Sequence, residues 1–157
     1  MGWSFQRALW FIQVNRDRLP EPERTQIVLA VVRCGDRICV AQRSQSVATS
    51  RGLWSVITGY VEPGTEPEEQ AWAEVDEELG LTAPELSLRR RLPAMPLTSP
   101  ASGKAFLVHP FLFEASSTNV VLNWEHDAVH WVDASWLDRP GCVPWQAELV
   151  RTVLADC

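Results

Sequence analysis

The stretch GYVEPGTEPEEQAWAEVDEELGL, residues 59–81, decides how this chain is read. It opens as a glycine-rich loop, Gly59 to Gly64, and then turns dense in Glu and Ala. Thr65 has the chemistry of an N-cap, and Glu68 three residues later completes a Thr-x-x-Glu capping box. Pro67 falls in the first turn, where its missing N–H costs little. Gly80 follows the last apolar position, Leu79, and marks the stop. These signals predict a helix over Glu66–Leu79. On it Glu74, Glu77 and Glu78 stand at i, i+3 and i+4, which places three carboxylates on one face.

Like charges at that spacing repel, at a few tenths of a kcal/mol each. A hard divalent cation removes the penalty. Oxygen donors suit Mg²⁺, which usually shares its shell with substrate phosphates, and such ions can clamp a diphosphate. Taken alone, the acidic run reads as readily as a solvated helix face. The glycine loop in front of it favours the metal reading.

The rest of the chain sets the frame. At 157 residues it is expected to be a single domain, 1–157, with residues 1–24 an N-terminal extension and connector. Hydrophobic content of 46% and charged content of 22% fit a globular protein. A net charge of −6 argues against binding a nucleic-acid polymer, which calls for a basic surface. Nucleotide chemistry is still allowed, because bound metal inverts the local sign. Among eight tryptophans, one or two are available to stack on a base. Cys34, Cys39, Cys142 and Cys157 have no C-x-x-C spacing, so neither a zinc site nor a disulfide framework is expected. The apolar run ALWFIQV is too short to span a membrane, and the expected compartment is the cytoplasm, with no membrane partner.

Within the extension, Trp10, Ile12 and Val14 alternate as a strand would, and core packing, an edge strand or a dimer contact all fit. TQIVLAVVR (25–33) is a continuous β-branched apolar run, hence a buried strand. A Cys34-Gly35-Asp36 turn leads into RICVAQR (37–43) as its hairpin partner. Leu53–Thr58 is a strand that carries the chain to Gly59, where the backbone can approach a ligand and offer its carbonyl to a metal. Leu86–Leu92 and Ala105–Ala115 read as strands, and Pro110 suggests an edge position or a bulge in the second. Met95–Lys104 reads as a mobile loop. Asn119–Leu122 is expected to be a short strand, Ala134–Leu137 a helical turn, and Pro144–Leu154 a closing amphipathic helix. This order is α/β, with a mixed β-sheet between helices.

Gly59, Glu62, Gly64, Glu74, Glu77, Glu78, Gly80 and Leu81 together resemble the Nudix box of the Nudix hydrolases, and GLWSVITG (52–59) is similar to the strand that leads into it. The resemblance implies an α/β/α sandwich and hydrolysis of a nucleoside diphosphate linked to another moiety. It implies Glu74 and Glu78 as metal ligands, with the Gly59 carbonyl and Glu125 completing the set. Glu125 lies six residues before Trp131, a spacing shared with Nudix enzymes in which that Glu is a metal ligand or the base. Glu77 is implied as a ligand or as the general base, and Arg43 as a group facing the phosphates, a surface ion pair being its other reading. The cation would be Mg²⁺, with Mn²⁺ also compatible. The substrate would be a small nucleotide-type molecule, such as a deoxynucleoside or dihydroneopterin triphosphate. Nudix hydrolases are often dimers, so a homodimer is compatible with this reading. Thr65 and Ala73 replace the usual box Glu and Arg, which keeps a non-catalytic Nudix-fold binding module as the alternative. An isopentenyl-diphosphate-isomerase-like enzyme is disfavoured, because no cysteine lies near the box loop.

Overall fold

The computed structural model describes residues 23–100 and 102–155. The expectation of a strand or dimer contact around Trp10–Val14 lies outside the described residues. Among the described residues eight strands form one sheet: β1 (Thr25–Cys34), β2 (Arg37–Arg43), β3 (Trp54–Ser55), β4 (Ile57–Tyr60), β5 (Leu86–Arg91), β6 (Met95–Thr98), β7 (Ala105–Ala115) and β8 (His126–Val132). Helix α1 (Pro67–Leu79) follows β4, and α2 (Gln146–Leu154) closes the described chain after a 3-10 turn at Ala134–Asp138.

β1 is central. Its Val28 to Val32 are wholly shielded from solvent, which explains why its sequence is apolar without alternation. It pairs parallel with β7 from Thr25↔Phe106 to Arg33↔Glu114, and antiparallel with β2 at the hairpin tip and with β4. β2 adds β3 and β8, and β7 adds β5 and β6, so the sheet is mixed. Val28, Ala30 and Val32 face α1 with Ile57, Phe111 and Phe113. Ile27, Leu29 and Val31 face α2 with Val40, Val108 and Leu112. The expected α/β layering, a sheet between helices, is what the chain adopts.

Four local expectations need correction. Thr65 does not cap α1: its N–H bonds to the Glu62 carbonyl in a turn, and Glu66 is the N-cap, with no side-chain capping bond. Glu68 instead reaches Arg91 at 3.2 Å. Pro67 does open the helix, and Gly80 ends it in the left-handed conformation (φ 68°) with its N–H on Asp76.

Pro110 marks neither an edge nor a bulge, because β7 lies inside the sheet. β5 ends opposite Phe111 and β6 begins opposite Val108, so Pro110 faces the gap between them. Its carbonyl accepts from Leu92 on that same side, where a missing N–H breaks no ladder bond. Part of the expected mobile loop is strand β6, Met95–Thr98, which pairs with the start of β7. Asn119–Leu122 forms no strand; its tie to the core is Val121 N–H to the Leu79 carbonyl, 2.9 Å. Trp131 sits in β8, which sequence reading missed, and the helical turn opens at Ala134 with Asp133 accepting from Ser135 N–H.

Candidate functional site

Helix periodicity aims the box carboxylates in two directions. Glu74 and Glu78, at i and i+4, point into the protein at 9% and 1% exposure, whereas Glu77 is exposed. Gln70, one further turn back on the same face, holds the arrangement together. Its Nε2 donates to Glu74 Oε1 at 2.9 Å, and its Oε1 accepts from the Glu62 N–H at 3.2 Å. One buried side chain thus ties the glycine loop to the helix carboxylate. The signal for it was an i, i+4 Gln–Glu pair, which sequence reading passed over.

β4 supplies the floor. Gly59 pairs with Val28 and therefore faces α1. A Cβ there would overlap the carboxyl group of Glu74, so only glycine lets this strand meet this side chain.

The opposite wall comes from Glu125 and His126. A backbone bond from Ser44 N–H to the Glu125 carbonyl (2.8 Å) pins that loop beside β2, and the Asn123 side chain braces it from within, its Oδ1 accepting from Glu125 N–H (3.1 Å). Glu125 is half-buried and His126 buried, and His126 Nε2 lies 2.8 Å from Glu78 Oε1. Donor atoms of Glu78, Glu125 and His126 all fall within 4.8 Å of one another.

A break in strand register brings His126 here. Val132, His130 and Ala128 pair with Ile38, Val40 and Gln42, but the next pair is Arg43↔His126, which leaves Asp127 unmatched. Strict alternation would aim His126 with His130, which stacks on Trp54 among the α2-side residues. The extra residue turns it toward α1 instead.

Electrostatics follow from burial. Desolvation pushes the Glu78 carboxyl up to about 10, and the neighbouring Glu74 and Glu125 charges add to it. Desolvation, and the charge of Glu77, also raise Glu74, against the opposing hydrogen bond from Gln70. His126 is lowered, first by burial and then by the nearby Arg43 charge, against the pull of Glu125. Glu78 Oε2 is buried with no hydrogen-bond partner among the described residues. A buried carboxylate oxygen without a donor, flanked by two further carboxylates, is costly unless a cation is bound. The carboxylate oxygens of Glu74, Glu78 and Glu125 fit a hard divalent ion.

The structure therefore gathers Gly59, Glu74, Glu78 and Glu125, all expected from sequence, and brings His126 beside them. Glu77 lies on the exposed flank of the same helix. Arg43 adjoins the cluster through its pairing with His126, while its Nε donates to the Thr49 carbonyl at 2.9 Å. Two grooves, of about 740 and 430 Å³, run along the first turn of α1 rather than over the carboxylates. Trp72 and Phe111 line the larger, and Arg24 and the Val61–Thr65 loop line the smaller. No helix among the described residues is long and apolar enough to cross a membrane.

Comparison with known proteins places this geometry. Residues 22–153 match the family model of the NUDIX domain. The MutT protein of Methanosarcina mazei Go1 superposes with a TM-score of 0.67 at 21% identity, covering 86% of this chain and 96% of that one. An Ap4A hydrolase of C. elegans, solved as a binary complex, gives a TM-score of 0.66 at 20% identity, over 81% of this chain and 93% of that one. A Myxococcus xanthus protein named octanoyltransferase is 33% identical over 124 residues, 73% of this chain but 32% of that protein. This chain thus spans about a third of that relative's length, and the transferase name does not carry over.

Proposed function

This chain belongs to the NUDIX domain family, and from that premise we propose that it is a divalent-cation-dependent pyrophosphohydrolase acting on a nucleotide-type substrate. The observation that carries the reading is Glu78: buried, flanked by Glu74 and Glu125, with one carboxylate oxygen lacking a donor among the described residues. Glu74, Glu78, Glu125 and the Gly59 carbonyl would hold the ion, with Mg²⁺ the expected species and Mn²⁺ a workable substitute. When bound, such an ion neutralises phosphate oxygens and acidifies coordinated water.

The chain's own groups would do the rest. Glu77, exposed beside Glu74, and Glu125, half-buried on its loop, are placed to take the proton from an attacking water. Water adds across the P–O–P bridge: its oxygen goes to the attacked phosphorus, and its second proton is shared with the leaving phosphate. No covalent enzyme intermediate is required, so no cysteine or serine nucleophile is needed. Arg43 would steady the phosphates beside the cluster.

A planar ring on the substrate accounts for one exposed aromatic. Trp124, 66% exposed, immediately precedes Glu125 on its loop and is available for stacking. This supports a nucleoside or pterin triphosphate. Thr65 and Ala73, in place of the box Glu and Arg, are the features that favour the rival reading, a binding module. Against it, Gln70 supplies a tie between loop and helix.

The test is release of phosphate or pyrophosphate, with and without Mg²⁺, from triphosphates, ADP-ribose and dinucleoside polyphosphates. Cation-dependent turnover of any of them supports the hydrolase. Nucleotides that raise the melting temperature without being turned over would leave the binding module.

A further inference from the structure

We propose that His126 is a positioning residue for this site: it occupies Oε1 of Glu78 and so presents Oε2 as the oxygen that meets the cation. The inference rests on the metal reading above and extends it to a residue outside the carboxylate set.

Three observations carry it. The contact is specific, Nε2 to Oε1 at 2.8 Å, with both side chains 1% exposed. The two carboxylate oxygens differ in kind, since Oε1 has this partner and Oε2 has none among the described residues. The backbone is altered to make the contact, because the unmatched Asp127 turns His126 across the sheet to α1.

The chemistry follows from proton counting. Two atoms 2.8 Å apart share one proton. A metal-bound carboxylate cannot carry it, so in the loaded state the imidazole must donate from Nε2. The hydrogen bond then fixes the rotation of the Glu78 carboxylate and keeps Oε1 from competing for the ion. Partners of this kind, one bond removed from the metal, typically control affinity by about 10–100-fold.

Two substitutions separate this role from simple packing. Gln places an amide N–H where Nε2 lies, whereas Asn is one methylene shorter and places it near Nδ1. The probe is Mn²⁺, titrated into the full-length protein and followed by loss of the free-ion electron paramagnetic resonance signal. Folding is checked by melting in EDTA. His126→Gln should bind Mn²⁺ nearly as the wild type does, and His126→Asn about 10–100-fold more weakly. Wild-type Mn²⁺ protein should show no directly coordinated imidazole nitrogen in its electron spin echo modulation.

Equal affinities in the wild type and both variants would overturn the inference alone. A strong imidazole nitrogen coupling, or equal losses in Gln and Asn, would make His126 a ligand and overturn it too. A wild type that takes up no Mn²⁺ would overturn the inference together with the metal reading beneath it.

Discussion

Replacing Glu78 with Gln should stabilise the metal-free protein while disabling it. Folding raises the Glu78 carboxyl from its ordinary value of 4.5 to about 10, chiefly by desolvation. Between those values the native state holds a proton that the unfolded chain has released. Stability is therefore full below pH 4.5 and declines as pH rises toward the folded value, by about 1.4 kcal/mol per pH unit. At pH 7, with about 2.5 pH units elapsed, the deficit is at most about 3.5 kcal/mol, and sharing of the repulsion with Glu74 and Glu125 brings the expectation to about 1–3 kcal/mol. Gln has no proton to retain, keeps the volume, and can still meet His126. The lowered His126 titration acts oppositely, costing stability as pH falls below 6.5, but it is present in both proteins.

Urea unfolding in EDTA at pH 5, 7 and 8.5 reads the difference directly. Glu78→Gln should gain on the wild type as pH rises and nearly match it at pH 5. Mg²⁺ should reverse the order, since ligand at a hundred times its dissociation constant adds about 2.7 kcal/mol to the protein that binds it. Parallel pH profiles, or a variant less stable than the wild type at all three pH values in EDTA, would refute the reasoning.

Gly59→Ala forces its new methyl onto the Glu74 carboxyl. The Gln70 hydrogen bond should break, at a cost of about 1–3 kcal/mol, and Mn²⁺ affinity should fall while the circular dichroism spectrum stays native. Arg43→Ala should raise KM for a phosphate substrate about tenfold, roughly 1.4 kcal/mol, with kcat little changed, as steady-state kinetics will show. Leu29→Ala, in the fully buried centre of β1, should cost about 2–5 kcal/mol by denaturant unfolding.

How far the sequence could be read depended on how local the determining forces were. α1 was legible because its stop signal and its Glu spacing are written within one segment. β1 was legible because burial on both faces leaves a continuous apolar run. The N-cap was misplaced because Thr65 is drawn into a turn with Glu62, a competition between two short-range bonds that composition does not rank. Pro110 misled for a different reason: whether its missing donor matters depends on where β5 ends and β6 begins, far away in the chain. β8 escaped because its bulge breaks the period-two pattern, and the same bulge decides which face of the sheet His126 takes. In the site, Gly59, Glu74, Glu78 and Glu125 emerged from a motif, whereas the division of labour between buried Glu78 and exposed Glu77 needed the helix placed on the sheet.

The central claim is that these carboxylates serve a cation-dependent hydrolysis. Turnover at saturating Mg²⁺ should be measured on the panel substrate cleaved fastest, for the wild type, Glu77→Gln and Glu78→Gln. The account predicts release by the wild type that EDTA abolishes, and a loss of at least about a hundredfold in both variants, in the range of removing a general base. Release that survives EDTA, or that persists unchanged in Glu78→Gln, would contradict it.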